Sequence, residues 1–61
     1  MKPHDTLGRL NYLLFEHDVE ITLGHGGIWI TWWGGDDQRR SVIGDDVSDA
    51  VAKAWWELEG Q

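Results

Sequence analysis

The fold is decided by residues 19–33, which read VEITLGHGGIWITWW. In the first part, Val19, Ile21 and Leu23 alternate with polar residues, the period-2 pattern of a strand with one buried face. The glycine-rich loop 24–27 follows, and glycine tolerates the positive φ angles of tight turns. The second part alternates again, so the stretch predicts an antiparallel hairpin with Ile28, Ile30 and Trp32 on one face and Trp29, Thr31 and Trp33 on the other.

Downstream of the hairpin, the chain predicts one more strand and a helix. Residues 34–37, GGDD, predict a turn, and residues 38–43 predict a third strand at the sheet edge, where Arg39 and Arg40 discourage aggregation. Asp45 or Asp46 then provides an N-cap, and Gly60 suits the C-terminal stop. A helix over about 46–59 follows from one apolar stripe, formed by Val47, Ala50, Val51, Ala54, Trp55 and Leu58.

Upstream of the hairpin, residues 6–16 predict a first helix. Leu7, Leu10 and Leu14 recur at helical spacing and Asp5 provides a cap, although a strand over residues 10–15 is the alternative. The predicted fold class is α+β, in the order α-β-β-β-α. A three-stranded antiparallel meander packs against the C-terminal amphipathic helix, and the N-terminal helix joins the same face or an edge. Residues 1–61 form a single domain.

Composition limits the classes of function. Eleven carboxylates against five Lys and Arg give a net charge of −6, which argues against direct binding to nucleic acid or an anionic membrane. The charge favours a protein partner with a basic surface, while solubility alone is the simpler explanation. With no signal peptide, no membrane-spanning stretch and no cysteine visible, we expect a cytoplasmic protein.

Catalytic and metal-binding constellations are missing from the sequence. His4, His17 and His25 show no zinc-ligand spacing, and Ser41 and Ser48 have no histidine placed to activate them. A domain of this size can hardly enclose a reaction pocket, so we expect a non-enzymatic protein without metal or cofactor. The repeated Gly-Asp-Asp triplets at 35–37 and 44–46 are better explained by turns and caps than by a cation site between them.

Tryptophan is the most informative residue type. With Ile30 and Trp32 in the core, Trp29 and Trp33 face the opposite side of the sheet, and Trp56 lies about 100° around the helix from the buried Trp55. Exposed aromatic rings mark contact surfaces, so these three are candidate partner-binding residues. Three alternatives remain: the first helix covers them, a homodimer buries them, or they stack on single-stranded nucleic acid.

The acidic residues form the second candidate surface. Carboxylates at this density can imitate the phosphates of a nucleic acid and fit a basic channel. Ordinary capping and solvation is the alternative explanation. The candidates for partner binding are Asp36, Asp37, Asp45, Asp46, Asp49 and Glu57.

Two resemblances extend this interpretation. Residues 42–54, VIGDDVSDAVAKA, resemble the strand-to-helix junction of HicB-type antitoxins and similar small phage proteins with a β-meander and one helix. The small, acidic, cysteine-free and tryptophan-rich chain also resembles phage-encoded anti-CRISPR inhibitors, in type and without a shared motif.

These resemblances set the functional expectations. The second implies an inhibitor that acts in the cytoplasm of the host cell and blocks a basic, nucleic-acid-binding surface of a CRISPR effector complex, with DNA mimicry as one means of doing so. The first implies the alternative, half of a HicB-like antitoxin, and a small homodimeric phage structural or assembly protein is a further one. We expect a monomer or a weak homodimer.

Overall fold

The computed structural model describes residues 2–60 and has the predicted order of elements. Helix α1 spans Thr6–Glu16, and strands β1, β2 and β3 span Glu20–Gly24, Gly27–Trp33 and Arg39–Gly44. Helix α2 spans Val47–Glu59. The predicted α+β class, α-β-β-β-α, is therefore confirmed, and the strand alternative for residues 10–15 is wrong.

The three strands form one antiparallel sheet with β2 in the centre. Ile30 lies opposite Ile21 of β1 and Val42 of β3. The connection between β1 and β2 is shorter than the predicted four-residue loop, because Gly24 pairs with Gly27 and leaves two residues in the turn. Gly26 has a φ of 89°, which explains a glycine at the second turn position.

The core lies between one face of the sheet and the two helices. Ile30 and Trp32 of β2 are buried there, as the alternation predicted. Helix α2 packs on β2 and β3 with the predicted stripe, whereas α1 packs mainly on α2. The buried side chains are Leu13, Val19, Ile30, Trp32, Ala50, Val51, Ala54 and Trp55.

The two helices run parallel to each other. Thr6 Oγ1 lies 3.3 Å from Ser48 Oγ at their starts, and His17 Nε2 donates to Glu59 Oε2 at 2.6 Å at their ends. Between these contacts, the Tyr12 ring meets the edge of Trp55 at a centroid distance of 5.3 Å. In the part of the chain described, no helix is long and apolar enough to cross a membrane.

The junction between β3 and α2 depends on Gly44. A Cβ atom on this buried glycine would lie 2.3 Å from the backbone nitrogen of Ala50, closer than any real contact. Because the obstacle is backbone, rotation of a side chain cannot relieve the overlap. The strand end and the helix approach each other this closely only with glycine at position 44.

We predict that Gly44→Ala destabilises the fold by about 1–3 kcal/mol or more, since it overpacks a contact between two backbones. The matched control is Gly35→Ala in the β2–β3 turn, where a Cβ would meet nothing within 4 Å. That variant should stay within about 0.5 kcal/mol of the parent. Urea unfolding followed by tryptophan fluorescence measures both, and equal midpoints for the two variants would contradict the prediction.

The helix ends are also joined by an ionic cluster centred on Glu59. Its side chain is only 7% exposed, and its carboxylate contacts both Lys2 and His17. Hydrogen bonds from Lys2 and then His17 hold the pKa of Glu59 below its ordinary value of 4.5. A carboxyl whose pKa is lower in the folded state stabilises the fold above its unfolded pKa, and this contribution is lost as the pH falls through the folded pKa.

We predict that Glu59→Gln reduces the loss of stability on acidification below pH 4.5, because the variant has no carboxylate to protonate at this site. Thermal unfolding measured over a pH series gives the slope for each protein. Glu57→Gln is the control, since Glu57 is exposed and lies two residues away on the same helix. An identical acid slope for the parent and Glu59→Gln would be inconsistent with the assigned role.

Candidate partner-binding site

The sheet face opposite the helices exposes the aromatic residues predicted for it. Trp29 is 37% exposed and Trp33 is 67% exposed, whereas Trp32 between them is buried. Their neighbours on this outer face follow from the register: Thr22 and Ile43 flank Trp29, and Arg39 lies beside Trp33. The alternative that the first helix covers these rings is wrong, because α1 packs on α2 at the other face of the sheet.

The two exposed indoles differ in how much the sheet supports them. A Cβ on Gly24 would lie 3.2 Å from the Trp29 indole, so this ring lies against the end of β1. Trp33 occupies the last position of β2 and keeps two thirds of its surface open. Trp33 is therefore the more available anchor for a partner.

Trp33 forms one wall of an open cleft of about 380 Å³, here called the Trp33 cleft. Across the cleft, Arg39 Nη2 lies 3.9 Å from Glu20 Oε2. Asp18 adds a second carboxylate from the connection between α1 and β1, where its φ of 54° lies in the left-handed region that aspartate tolerates better than most residues. The residues lining the cleft are Asp18, Glu20, Thr31, Trp32, Trp33 and Arg39.

The basic side chains are all engaged within the described part of the chain. Four of them pair with carboxylates: Lys2 with Glu59, Arg39 with Glu20, Arg40 with Asp36 and Lys53 with Asp49. The fifth, Arg9, lies 4.9 Å over the Trp55 ring. Of the eleven carboxylates, seven make no ion pair within residues 2–60, namely Asp5, Glu16, Asp18, Asp37, Asp45, Asp46 and Glu57.

The first Gly-Asp-Asp triplet stabilises the turn between β2 and β3. Asp36 accepts hydrogen bonds from the Gln38 amide at 3.1 Å and from Arg40 Nη2 at 2.8 Å. The Gln38 amide, followed by Arg40, lowers the pKa of Asp36 below 3.8. Asp37 takes a left-handed φ of 62°, and its amide donates to the Gly34 carbonyl at 3.1 Å. Turn geometry thus accounts for both residues.

The second triplet caps α2. Asp46 Oδ1 accepts from the Asp49 amide at 2.8 Å, and Asp49 Oδ2 accepts from the Asp45 amide at 3.0 Å. The first bond satisfies an amide that the first turn of the helix leaves free, and the second fixes the residue that precedes the N-cap. The Asp45 amide, followed by Lys53, lowers the pKa of Asp49. Asp46 and Asp49 are thereby structural, whereas the Asp45 carboxylate remains free of an ion pair.

The predicted site residues therefore do not form one surface. The two aspartate pairs lie at opposite ends of β3, about 20 Å apart for a six-residue strand. Within residues 2–60, no group of three or more acidic or histidine residues is placed to hold a metal ion. Trp56, which is 63% exposed, and Glu57 lie on the exposed side of α2, in the other layer from Trp29 and Trp33.

Asp18 and Glu20, the two carboxylates that line the Trp33 cleft, were not among the candidate residues predicted from the sequence. Asp18 and Glu20 come well before Trp33 in the chain, and only the hairpin register brings them together. A turn centred on His25 and Gly26 pairs Glu20 with Thr31. Because the predicted loop over residues 24–27 has the same centre, it already implies this register, and the predicted hairpin was the signal that could have found the site.

We predict that Asp46→Ala lowers the free energy of unfolding by about 1 kcal/mol, because it removes the N-cap of α2. Asp45→Ala should change it by less than about 0.5 kcal/mol, since Asp45 contributes its backbone amide to the junction. Urea titrations of both variants measure the difference. Equal destabilisation would show that capping does not explain this triplet.

No protein-family model, no curated protein and no solved structure matches this chain.

Proposed function

We propose that this protein acts by binding another protein, without catalysis, and that it docks the Trp33 cleft on a basic surface of that partner. The observation that carries the proposal is an indole two thirds exposed beside the carboxylates of Asp18 and Glu20. An aromatic face next to carboxylates suits a lysine or arginine side chain, which gains a cation–π contact and an ion pair together. Tryptophan is also a frequent energetic centre of protein interfaces.

The charge distribution supports a basic partner. Seven carboxylates without an ion pair in residues 2–60 leave a negative field that the engaged basic residues do not neutralise. Such a field accelerates encounter with a positive surface and weakens as salt screens it. Direct binding to nucleic acid would meet repulsion from the same charges.

The arrangement of the polar side chains supports binding over catalysis. His17, the histidine with a carboxylate partner, is engaged with Glu59 in joining the ends of the helices. Ser48 lies at the opposite end of those helices, beside Thr6. A nucleophile and a base therefore do not meet in this pair, as covalent catalysis requires.

The partner we propose is a nucleic-acid-binding subunit of a CRISPR effector complex, as the resemblance to anti-CRISPR inhibitors implies. Such a subunit has a groove lined with Lys and Arg that normally contacts phosphates. Trp33, Asp18 and Glu20 would occupy part of that groove and exclude the nucleic acid. The carboxylates at the start of α2 contribute long-range attraction rather than the central contact, because Asp46 and Asp49 are engaged in capping.

We predict that Trp33→Ala weakens binding to an immobilised type I effector complex by about 30-fold or more. This corresponds to the binding free energy of about 2 kcal/mol that is lost when a central residue of an interface is truncated. Biolayer interferometry measures the affinity, and circular dichroism checks that the variant is folded. Trp56→Ala is the matched control, because its ring is exposed to a similar degree on the other layer of the fold. It should bind like the parent protein.

The double variant Asp18→Asn with Glu20→Gln should also bind more weakly and show a smaller dependence on salt, because two charges that face the partner are removed. Wild-type affinity of Trp33→Ala would reject the cleft as the docking site. Loss of affinity in Trp56→Ala alone would move the site to α2.

A further inference from the structure

Strand β1 is an edge strand that the rest of the protein leaves uncovered. All five of its residues are exposed. Ile21 and Leu23 lie opposite Ile30 and Ile28 on the helix side of the sheet, yet Ile21 is 38% exposed and Leu23 is 80% exposed. The reason is that α2 packs on β2 and β3, while α1 packs on α2.

The free backbone groups of β1 belong to these same two residues. The Gly34 amide donates to the Gln38 carbonyl at 2.8 Å, and this pair continues the register between β2 and β3. Since hydrogen-bonded pairs alternate along an antiparallel ladder, the even residues of β2 bond to β3 and the odd residues bond to β1. Glu20, Thr22 and Gly24 therefore bond to β2, whereas the N–H and C=O groups of Ile21 and Leu23 point outward.

The two edges of the sheet differ in their protection. On β3, Arg39 and Arg40 place charge on the edge, and Lys53 Nζ donates to the outward Ile43 carbonyl at 2.9 Å. Strand β1 has no Lys, Arg or Pro, and its centre is Ile21-Thr22-Leu23, three residues that suit a strand. An edge of this kind is a template for pairing with another strand.

We propose that β1 pairs with β1 of a second copy of this chain, antiparallel and about a two-fold axis at Thr22. This axis lies at the middle of the strand, so all five residues find a partner. Ile21 pairs with Leu23 of the second copy, and their outward backbone groups form the hydrogen bonds. Thr22 faces Thr22 of the second copy as a non-hydrogen-bonded pair. The two sheets become one of six strands.

Charge and apolar surface both favour the second copy as the occupant. Glu20 is the one charged residue of β1, and in this register it faces Gly24, so no like charges lie opposite each other. The exposed Ile21 and Leu23 side chains of both copies meet in one row on the helix side. Two short strands bury less than the roughly 1,600 Å² of a standard interface, so the dimer is weak and reversible.

The salt dependence separates this dimer from docking on a basic partner. Each copy has a net charge of −6, so the two copies repel and salt that screens this repulsion strengthens the dimer. Docking of the Trp33 cleft on a basic surface weakens with salt. The dimer uses the β1 edge and needs no other protein, so its failure and the failure of the proposed function are separate outcomes, although Glu20 belongs to both surfaces.

Disulfide trapping tests the register. The chain has no cysteine, so single variants report on one position each. Thr22→Cys places two cysteines in a non-hydrogen-bonded pair with Cα atoms about 4.5 Å apart, within disulfide reach. Leu23→Cys is the control: this position is also exposed, but its two copies lie about 8–9 Å apart in this register, beyond that reach.

Under mild oxidation, Thr22→Cys should cross-link at least about tenfold faster than Leu23→Cys, because only the first pair is in register. Sedimentation equilibrium of the parent should show a dimer whose population rises with protein and salt concentration. Leu23→Lys should shift it to monomer, whereas Phe15→Lys, which adds the same charge at an exposed apolar residue of α1, should not. A monomeric parent at every concentration, or equal cross-linking of the two cysteine variants, would overturn the proposal.

Discussion

The packing of α2 on the central strand β2 is the interaction on which the rest of the structure depends. Helix α2 contributes Ala50, Val51, Ala54 and Trp55 to the core, and β2 contributes Ile30 and Trp32. Two small alanines and the bare backbone of Gly44 let the helix approach the sheet closely. Six of the eight buried core residues therefore come from this one helix and this one strand.

A core on one side of the sheet determines what the other side shows. Successive side chains of a strand point to opposite faces, so a strand that buries Ile30 and Trp32 must direct Trp29 and Trp33 outward. Both helices lie on the same side of the sheet, since α2 packs on β2 and β3 and α1 packs on α2. The same arrangement leaves β1 uncovered, because α2 lies over β2 and β3. Both candidate surfaces are thus consequences of a two-layer fold built from a short chain.

Periodicity was sufficient to predict the elements and their burial. The alternation in residues 19–33 and the stripe in residues 46–59 each identify one structure, and both are present. Strands β1 and β3 each extend one residue beyond the predicted end, to a glycine. Gly24 pairs with Gly27 and Gly44 pairs with Ile28, so both glycines belong to the ladder. Local patterns report which face a residue occupies, but not where a ladder ends.

The site was less predictable because it depends on contacts between distant residues. Composition suggested one acidic surface, but Asp36 and Asp45 lie at opposite ends of β3. Hydrogen bonds place Asp36 in a turn and Asp46 and Asp49 in a helix cap. Capping and turn formation, the simpler of the two explanations given for these residues, therefore accounts for them. Conversely, Asp18 and Glu20 gained importance through the register of the hairpin, which brings them to the same cleft as Trp33.

The distribution of positive charge connects these features. Arg39, Arg40 and Lys53 all lie on β3 or beside it, so one edge of the sheet is protected and the opposite edge is not. The pairing of these bases with Glu20, Asp36 and Asp49 also removes three carboxylates from the free set, leaving the negative field to residues in loops and helix ends. The β1 edge without a basic residue and the Asp18 carboxylate without an ion pair beside Trp33 therefore have a common origin in the described residues. Within residues 2–60, Arg39 pairs with Glu20 in the Trp33 cleft, the other four bases are engaged elsewhere, and Asp18 makes no ion pair. A chain with few bases therefore exposes both a strand edge that can act as a template for pairing and a carboxylate beside an indole that attracts basic groups.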